Sequence, residues 1–256
     1  MISTGISGVA LQSTTPNRAS RMRVKTLHAA PPPRAGDGHP DLSGVWMHEL
    51  TPIAEIKPLL GDFFDEARKL EVPGMELGDY HKYAYNILLD FKRGESPMRR
   101  EAVEALHHNE AVLSDPANIC DQILLRFPLA GFFSQPIKIV QSPRLSVILY
   151  ERGNLHRQIY TDGRGLPSDF DLPAYLGYSV GHWEHDKLVV ETAGFNDKTA
   201  LGALGHPHSE SLRVVERFRR RDFGHLEVEM TFDDPVCTPD RLPSRSATIC
   251  GRFGYF

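Results

Sequence analysis

The clearest structural signal in the chain lies in residues 136–161, which read PIKIVQSPRLSVILYERGNLHRQIYT. Three runs rich in Ile, Val, Leu and Tyr follow one another there: Ile137–Gln141, Leu145–Glu151 and Leu155–Thr161. Runs of this composition favour strands, and the connections at 142–144 and 152–154 are short enough to form tight turns. The stretch therefore predicts consecutive antiparallel hairpins.

Further strands are predicted on both sides of this stretch. They are Val45–His48, Tyr178–Glu184, Lys187–Thr192, Leu212–Arg219, His225–Phe232 and Ser246–Cys250. A set of mostly consecutive neighbours usually closes into a barrel, because closure removes the exposed strand edges. We expect a mainly β fold, an antiparallel β-barrel of eight or nine strands. The sequence leaves open whether the polar C-terminal tail completes this barrel.

The character of the chain changes between about residues 50 and 130. Apolar residues recur at helical spacing in Glu55–Leu70 and again in Arg99–Leu113. Ser114-Asp115-Pro116 then ends the second helix, because the residue before a proline is kept out of the helical conformation. We expect a mostly helical insertion after the first strand, inside a single domain that spans residues 41–256.

Residues 1–40 differ from the rest of the chain. They carry five Lys or Arg and one acid, are rich in Ser and Thr, and contain no periodic apolar pattern. We expect a disordered basic leader, and an organelle transit peptide is the alternative. No apolar run of the kind that marks a secretory signal follows the basic positions, so a cytoplasmic location is expected.

Composition argues against several classes of protein. The 256 residues carry a net charge of −4, which is unfavourable for a nucleic-acid binder that works through a broad basic face. No apolar run approaches the roughly eighteen residues of a membrane-spanning helix. The three cysteines are too few and too scattered for a disulfide scaffold or a CxxC zinc site. Because no membrane-spanning run occurs, we expect a soluble protein. Nucleotide-binding glycine motifs are absent, so we expect no bound cofactor.

Several stretches resemble a large family of mostly acidobacterial proteins that open with a DLSGVW-like motif. They are Asp41–Trp46 (DLSGVW), Lys138–Glu151, Arg157–Arg164, Gly177–Asp197 and Gly205–Asp222. The resemblance implies a lipocalin-like β-barrel, since lipocalins share the Gly-x-Trp start, and it implies no settled activity. Two features depart from the family pattern. The usual export signal is missing, and beyond Asp234-Pro235 an Arg-containing tail stands where members continue into further strand.

Histidines supply the first candidates for chemistry. His206 and His208 flank Pro207 in a loop before a strand, and residues two apart in an extended loop project the same way. They could act as an acid/base pair or, in a metal-dependent variant that stays open, as two ligands of a divalent metal. Glu210 or Asp197 could orient one imidazole. The alternative is that these are ordinary loop residues.

A second set of candidates lies on the predicted strands. Tyr160 and Asp162 at the end of one strand could polarise a carbonyl or hold a water, and an ion pair of Asp162 with Arg164 or Arg157 is equally compatible. The candidates for lining a pocket are Arg157, His182, Trp46 and Tyr178. His182 shares a face with Glu184, so it faces solvent if Trp183 packs inward.

Residues 213–221 contain a basic run. Val214, Glu216 and Phe218 share one face of the strand, and Arg213, Val215, Arg217 and Arg219 share the other. A solvated outer sheet face explains this run, with recognition of a phosphate or carboxylate as the alternative.

Two functional hypotheses follow from these residues. In the first, the protein is a cofactor-free enzyme that isomerises, cyclises or dehydrates a small, mostly apolar or aromatic molecule. His206 or His208 is the general base, Asp197 or Glu210 orients it, and Tyr160 or Arg157 stabilises the oxyanion. In the second, a lipocalin-like carrier binds a hydrophobic ligand without turnover. The first requires the histidines and Asp162 to converge at one end of the barrel.

Overall fold

A computed structural model describes residues 30–48, 87–88, 91, 96–114, 136–151, 155–201, 205–240, 242 and 245–251. Eleven strands and one helix occur within these residues. They are β1 (Gly44–His48), α1 (Arg100–Ser114), β2 (Ile137–Gln141), β3 (Leu145–Tyr150), β4 (His156–Tyr160), β5 (Tyr178–Glu184), β6 (Lys187–Ala193), β7 (Ala200–Leu201), β8 (His206–Pro207), β9 (Arg213–Arg220), β10 (His225–Asp233) and β11 (Arg245–Gly251).

Nine of these strands form one strongly curled sheet. Its hydrogen-bonded order is β1-β11-β10-β9-β6-β5-β4-β3-β2, and β1 pairs with both β2 and β11. The prediction of a mainly β chain with an antiparallel-dominated sheet is therefore confirmed. The predicted last strand, Ser246–Cys250, lies within β11, which pairs with β10 and β1.

One strand pairing differs from the prediction of an antiparallel meander. Strands β4 and β5 are parallel and share only two residue pairs, Ile159↔Ser179 and Tyr160↔Val180. Short turns force neighbouring strands to run in opposite directions, whereas the long connection 161–177 lets the chain cross back before β5 begins.

The directions of the strands define two ends of the sheet. The turns β2–β3, β5–β6 and β9–β10 lie at one end, which we call the hairpin end. Strands β6 and β10 finish at the opposite end, which we call the His206 end. The small sheet β7–β8 follows β6 there, and α1 contacts β8 through Asn109, whose Nδ2 donates to Gly205 O at 2.8 Å.

The inward face of the sheet is packed with apolar side chains, and Trp46 lies among them at the hairpin end. The indole is 1% exposed, its N–H donates to Leu42 O at 2.9 Å, and the guanidinium of Arg220 lies 4.9 Å from the ring centre. Trp46 is thus part of the core, and its suggested contact with a ligand stays a prediction.

The helical insertion is described only in part. Helix α1 coincides with the predicted Arg99–Leu113 to within one residue at each end, whereas Glu55–Leu70 lies outside the described residues. The residue just before α1, Arg99, ties the start of this helix to the segment after β10, because its backbone N–H donates to Cys237 O at 2.8 Å.

Packing against the sheet begins before the predicted boundary at residue 40. Arg34 donates to both carboxylate oxygens of Asp186, at 2.7 and 2.9 Å, and His39 stacks on Trp183 with ring centres 4.6 Å apart. The carbonyl of Ala30 accepts from Phe223 N at 2.7 Å. Residues 30–40 therefore contact the hairpin end, and the rest of the predicted leader lies outside the described residues.

Candidate functional site

Buried His206 is the predicted residue whose surroundings point most directly to binding. Its imidazole is 5% exposed, and it lies on β8 opposite Leu201 of β7. The backbone of Leu201 interacts with the ring and raises its pKa, against the larger effect of burial. Its Nδ1 atom has no hydrogen-bond partner within the described part of the chain. A buried polar atom of this kind calls for an explanation, because nearly all such atoms are paired in folded proteins.

The His206 ring is not protonated to the imidazolium form near neutral pH. Burial lowers the pKa of His206 to about 4, and the interaction with Leu201 opposes that shift only in part. The imidazole is therefore neutral near pH 7, and in the tautomer that carries the ring proton on Nε2 the Nδ1 atom presents a lone pair.

His206 is one of the residues that line a small hollow at the His206 end. The other walls are mostly apolar and include Ile87, Leu88, Met98, Phe232 and Leu242. The hollow has a volume of about 20 Å³, which is enough for one water-sized group. A molecule bound here would insert a single polar terminus, such as a hydroxyl, and leave its apolar body on the surrounding side chains.

His208 does not share this position, although it is also buried. Its Nε2 lies 2.6 Å from Thr199 Oγ1, and its Nδ1 lies 3.2 Å from the carbonyl of Ser209. Burial lowers the pKa of His208 as well, against the opposing effects of the Ser209 hydrogen bond and nearby carboxylates. Both ring nitrogens are thus occupied, so the expected cooperation of His206 and His208 is not seen in their contacts.

Asp234, which the sequence analysis did not single out, holds this region together. Its carboxylate accepts from Ser209 N at 2.6 Å and from Ser209 Oγ at 2.7 Å, and it also accepts from the backbone N–H groups of Val236 and Cys237. The Asp234-Pro235 pair, a common turn signal, was the available clue.

Cys237 lines the same hollow but is not an activated nucleophile. Burial, together with the charge and hydrogen bond of Asp234, raises the pKa of its thiol to about 12. Reactive cysteines require the thiolate, which is scarce at neutral pH when the pKa is this high.

The two carboxylates proposed to orient a histidine lie on the surface. Asp197 and Glu210 are both exposed, and neither makes a hydrogen bond to His206 or His208 among the described residues. The charge of Asp197 reaches His208 and raises its pKa slightly against the effect of burial. Their role as catalytic partners stays a prediction.

Tyr160, Asp162 and Tyr178 form a separate group with Arg164. The two tyrosine rings stack with centres 5.3 Å apart, and the Arg164 guanidinium lies 4.0 Å from the centre of the Tyr160 ring. Arg164 also bonds Asp162 at 2.7 Å. This hydrogen bond is the main reason that the pKa of the Asp162 carboxyl is lowered, and the charges of Arg164 and Arg144 lower it further. The alternative of an Asp162–Arg164 ion pair is the one observed.

Asp162 therefore does not converge with the histidines. It follows the end of β4, where Thr161 N donates to Arg144 O in the turn β2–β3 at 2.9 Å. His206 and His208 follow the end of β6, which runs in the opposite direction to β4. The convergence that the first hypothesis requires is thus not found.

Arg157 lies inside the sheet in a buried polar network. Its Nη2 bonds the carboxylate of Glu216 and donates to Thr192 Oγ1 at 2.9 Å, and its Nε donates to Ser179 Oγ at 2.8 Å. Arg157 is 5% exposed and Glu216 2%. Sequence alternation predicts that Glu216 shares a face with Val214 and Phe218, and this face is the buried one. The pairing of Glu216 with Arg157 is not predicted by alternation.

His182 points away from the core. It is exposed, and its Nε2 lies 3.3 Å from Glu184 Oε1, while Trp183 is half-buried against the core. The face assignment that puts His182 in solvent is thus the one observed.

Acid will destabilise the fold through His206. The unfolded chain binds this proton near pH 6.5 and the folded chain only near pH 4. The stability linked to the neutral ring is therefore complete above pH 6.5, falls as the pH drops toward 4, and changes no further below that. The total loss is roughly 3 kcal/mol. Urea unfolding across this range should show this loss in the wild type and in the exposed-site control His182→Leu, and a clearly smaller one in His206→Leu, where the buried His208, whose pKa is also lowered, still contributes. Identical acid profiles for wild type and His206→Leu would contradict the assignment.

Neither a membrane-spanning helix nor a metal site is found among the described residues. The described helix is neither long nor apolar enough to span a membrane. Within the described residues, no three His, Cys, Asp or Glu side chains are grouped as a metal site would require. No protein-family model, curated protein or solved structure matches the chain.

Proposed function

We propose that the protein binds a small, mostly apolar molecule that carries one hydrogen-bond donor, at the His206 end of a lipocalin-like barrel. The observation that carries this proposal is the buried Nδ1 atom of neutral His206, which has no partner in the part of the chain that the structure describes and lies on a residue that lines a mostly apolar hollow. The donor of the ligand, a hydroxyl or N–H group, would bond to this atom. Few polar groups in an apolar setting are the usual composition of a small-molecule site.

The shape of the surroundings supports binding at this end rather than the other. At the hairpin end Trp46 is covered by Arg220, which itself donates to Asp41 O and Phe223 O. At the His206 end lie β7, β8 and α1, which do not belong to the nine-stranded sheet, and α1 contacts β8. The proposed kinship with the DLSGVW-type family is compatible with this arrangement and rests on the sequence stretches alone.

Phenol and anisole test the proposal, because they share a ring and differ in the donor. We expect phenol to bind the wild type about tenfold more tightly than anisole, the equivalent of one hydrogen bond in an apolar setting. His206→Leu should bind both equally, and His182→Leu should behave as the wild type. Calorimetric titration at neutral pH measures these affinities. Equal affinities of the wild type for the two ligands would refute the role of His206.

Acid/base catalysis on the bound molecule is a second candidate, favoured by the neutral state of His206. A general base must be unprotonated at the working pH, which the lowered pKa ensures, although a base with a pKa near 4 is weak. The first hypothesis survives in this reduced form, with His206 alone as the base. No cofactor is needed for it.

Native mass spectrometry separates the two candidates. A carrier should return a co-purified molecule unchanged after release and renewed incubation with the protein. An enzyme should convert it to a product with the mass of an isomer or a dehydrated form, and His206→Leu should not. A product that forms equally with His206→Leu would exclude His206 as the base.

A further inference from the structure

A second concave site lies on the outer face of the sheet, away from His206. It is a groove of about 210 Å³ over strands β6, β9 and β10, and its walls include Leu166, Glu191, Arg213, Val215, Thr231 and Asp233. This volume is below the roughly 300–1,000 Å³ of pockets for drug-sized ligands. The groove is therefore of a size for a small metabolite.

Strand register places opposite charges across this groove. Val215 pairs with Glu191 of β6 on one side and with Thr231 of β10 on the other. Arg213 lies two residues before Val215 on the same face, so it is a diagonal neighbour of Glu191, about 7–8 Å away. Both Arg213 and Glu191 are exposed, and neither forms an ion pair with another residue that the structure describes. Asp233 of β10 lies directly opposite Arg213 in the register.

The connection that carries the apolar wall of the groove is fixed to the sheet through Phe170 and Ala174. Leu166 belongs to the connection 161–177, and Ala174 in that connection exchanges backbone hydrogen bonds of 2.9 Å with Gly194 O and Asn196 N. Phe170 packs so closely on Gly194 that a β-carbon there would meet its ring at 2.3 Å. A fixed wall matters because a preorganised site loses less entropy when a ligand binds.

We propose that this groove binds a small amino acid with an apolar side chain. The ammonium group would pair with Glu191, the carboxylate with Arg213, and the side chain would pack between Leu166 and Val215. Glu191 disfavours a simple carboxylate that has no positive group, and a simple amine would leave Arg213 facing only Asp233 of the neighbouring strand. The site is independent of the binding proposed at His206.

Leucine and two of its analogues test the proposal by calorimetric titration of the full chain. Isoamylamine lacks the carboxylate, and isocaproate lacks the ammonium group. We expect saturable binding of L-leucine and about tenfold weaker binding of each analogue. Arg213→Gln should weaken leucine about tenfold and leave isoamylamine unchanged, and Glu191→Gln should weaken leucine and not isocaproate.

Arg217→Gln is the matched control, because Arg217 lies on the same face of β9 but does not line the groove. It should bind leucine as the wild type does. Unchanged unfolding temperatures would show that the variants are folded. The proposal is overturned if leucine does not bind saturably, if both analogues bind as well as leucine, or if Arg217→Gln weakens binding as much as Arg213→Gln.

Discussion

Replacing Glu216 by glutamine is expected to lower the free energy of unfolding by about 3–5 kcal/mol. The change keeps the shape of the side chain but removes the charge opposite Arg157, which is 5% exposed and whose other partners include the hydroxyl groups of Ser179, Thr192 and Tyr150. A guanidinium left without a counter-charge in this interior retains its full desolvation cost. Equilibrium unfolding in urea at neutral pH measures the difference.

Glu229→Gln is the matched control for this experiment. Glu229 lies on the neighbouring strand β10, paired with Arg217, and is only half-buried. Its replacement should change the free energy of unfolding by no more than about 0.5 kcal/mol, as is usual at the surface. A loss of similar size in both variants would show that burial of the Arg157–Glu216 pair is not the cause.

The double variant Arg157→Met, Glu216→Leu separates the pair from its surroundings. Replacement of both charges by apolar side chains should recover most of the stability lost in Glu216→Gln, because a buried ion pair is often no more stable than an apolar pair of similar volume. The double variant also removes the hydrogen bonds that Arg157 donates to Ser179 and Thr192. If it is less stable than Glu216→Gln, the loss of these hydrogen bonds costs more than the unpaired charge of the guanidinium.

The hairpins could be predicted because their information is local. In β2, β3 and β4 the apolar runs and the short turns between them fix both the strands and their pairing. The parallel contact of β4 with β5 could not be predicted, because it depends on where the connection 161–177 rests on the sheet. The ends of α1 were predicted because helical spacing and the proline after it are also local signals.

The candidate site was predicted only where burial follows from alternation. Glu216 was assigned to the face that proves to be buried, yet its partner Arg157 lies 59 residues away, a separation that no local pattern encodes. Likewise the hydrogen bond of His208 to Thr199 depends on how β7 and β8 fold over the sheet. The shared direction expected from the His-x-His spacing stays a prediction, and the contacts of the two rings differ, with Leu201 beside His206 and Thr199 bonded to His208.

Replacement of Trp46 by alanine is expected to lower the free energy of unfolding by about 3–5 kcal/mol, the usual cost of emptying the place of a large buried ring. The variant also loses the hydrogen bond to Leu42 O and the ring beneath Arg220, whose Nε has no partner among the described residues. Trp46→Phe should cost less, since it keeps an aromatic face under the guanidinium and loses only the N–H donor and part of the volume.

The other tryptophan supplies the control, because the chain contains two. Trp183 is half-buried and stacks on His39 at the surface of the hairpin end, so Trp183→Ala should cost clearly less than Trp46→Ala. In Trp183→Phe the remaining fluorescence comes from Trp46 and should be resistant to quenching by iodide, as expected for a 1% exposed ring. Strong quenching in that variant, or equal losses of stability for the two alanine variants, would mean that the hairpin end is open. Ligand binding would then have to be sought at both ends of the sheet, because the preference for the His206 end depends on Trp46 and Arg220 closing the other.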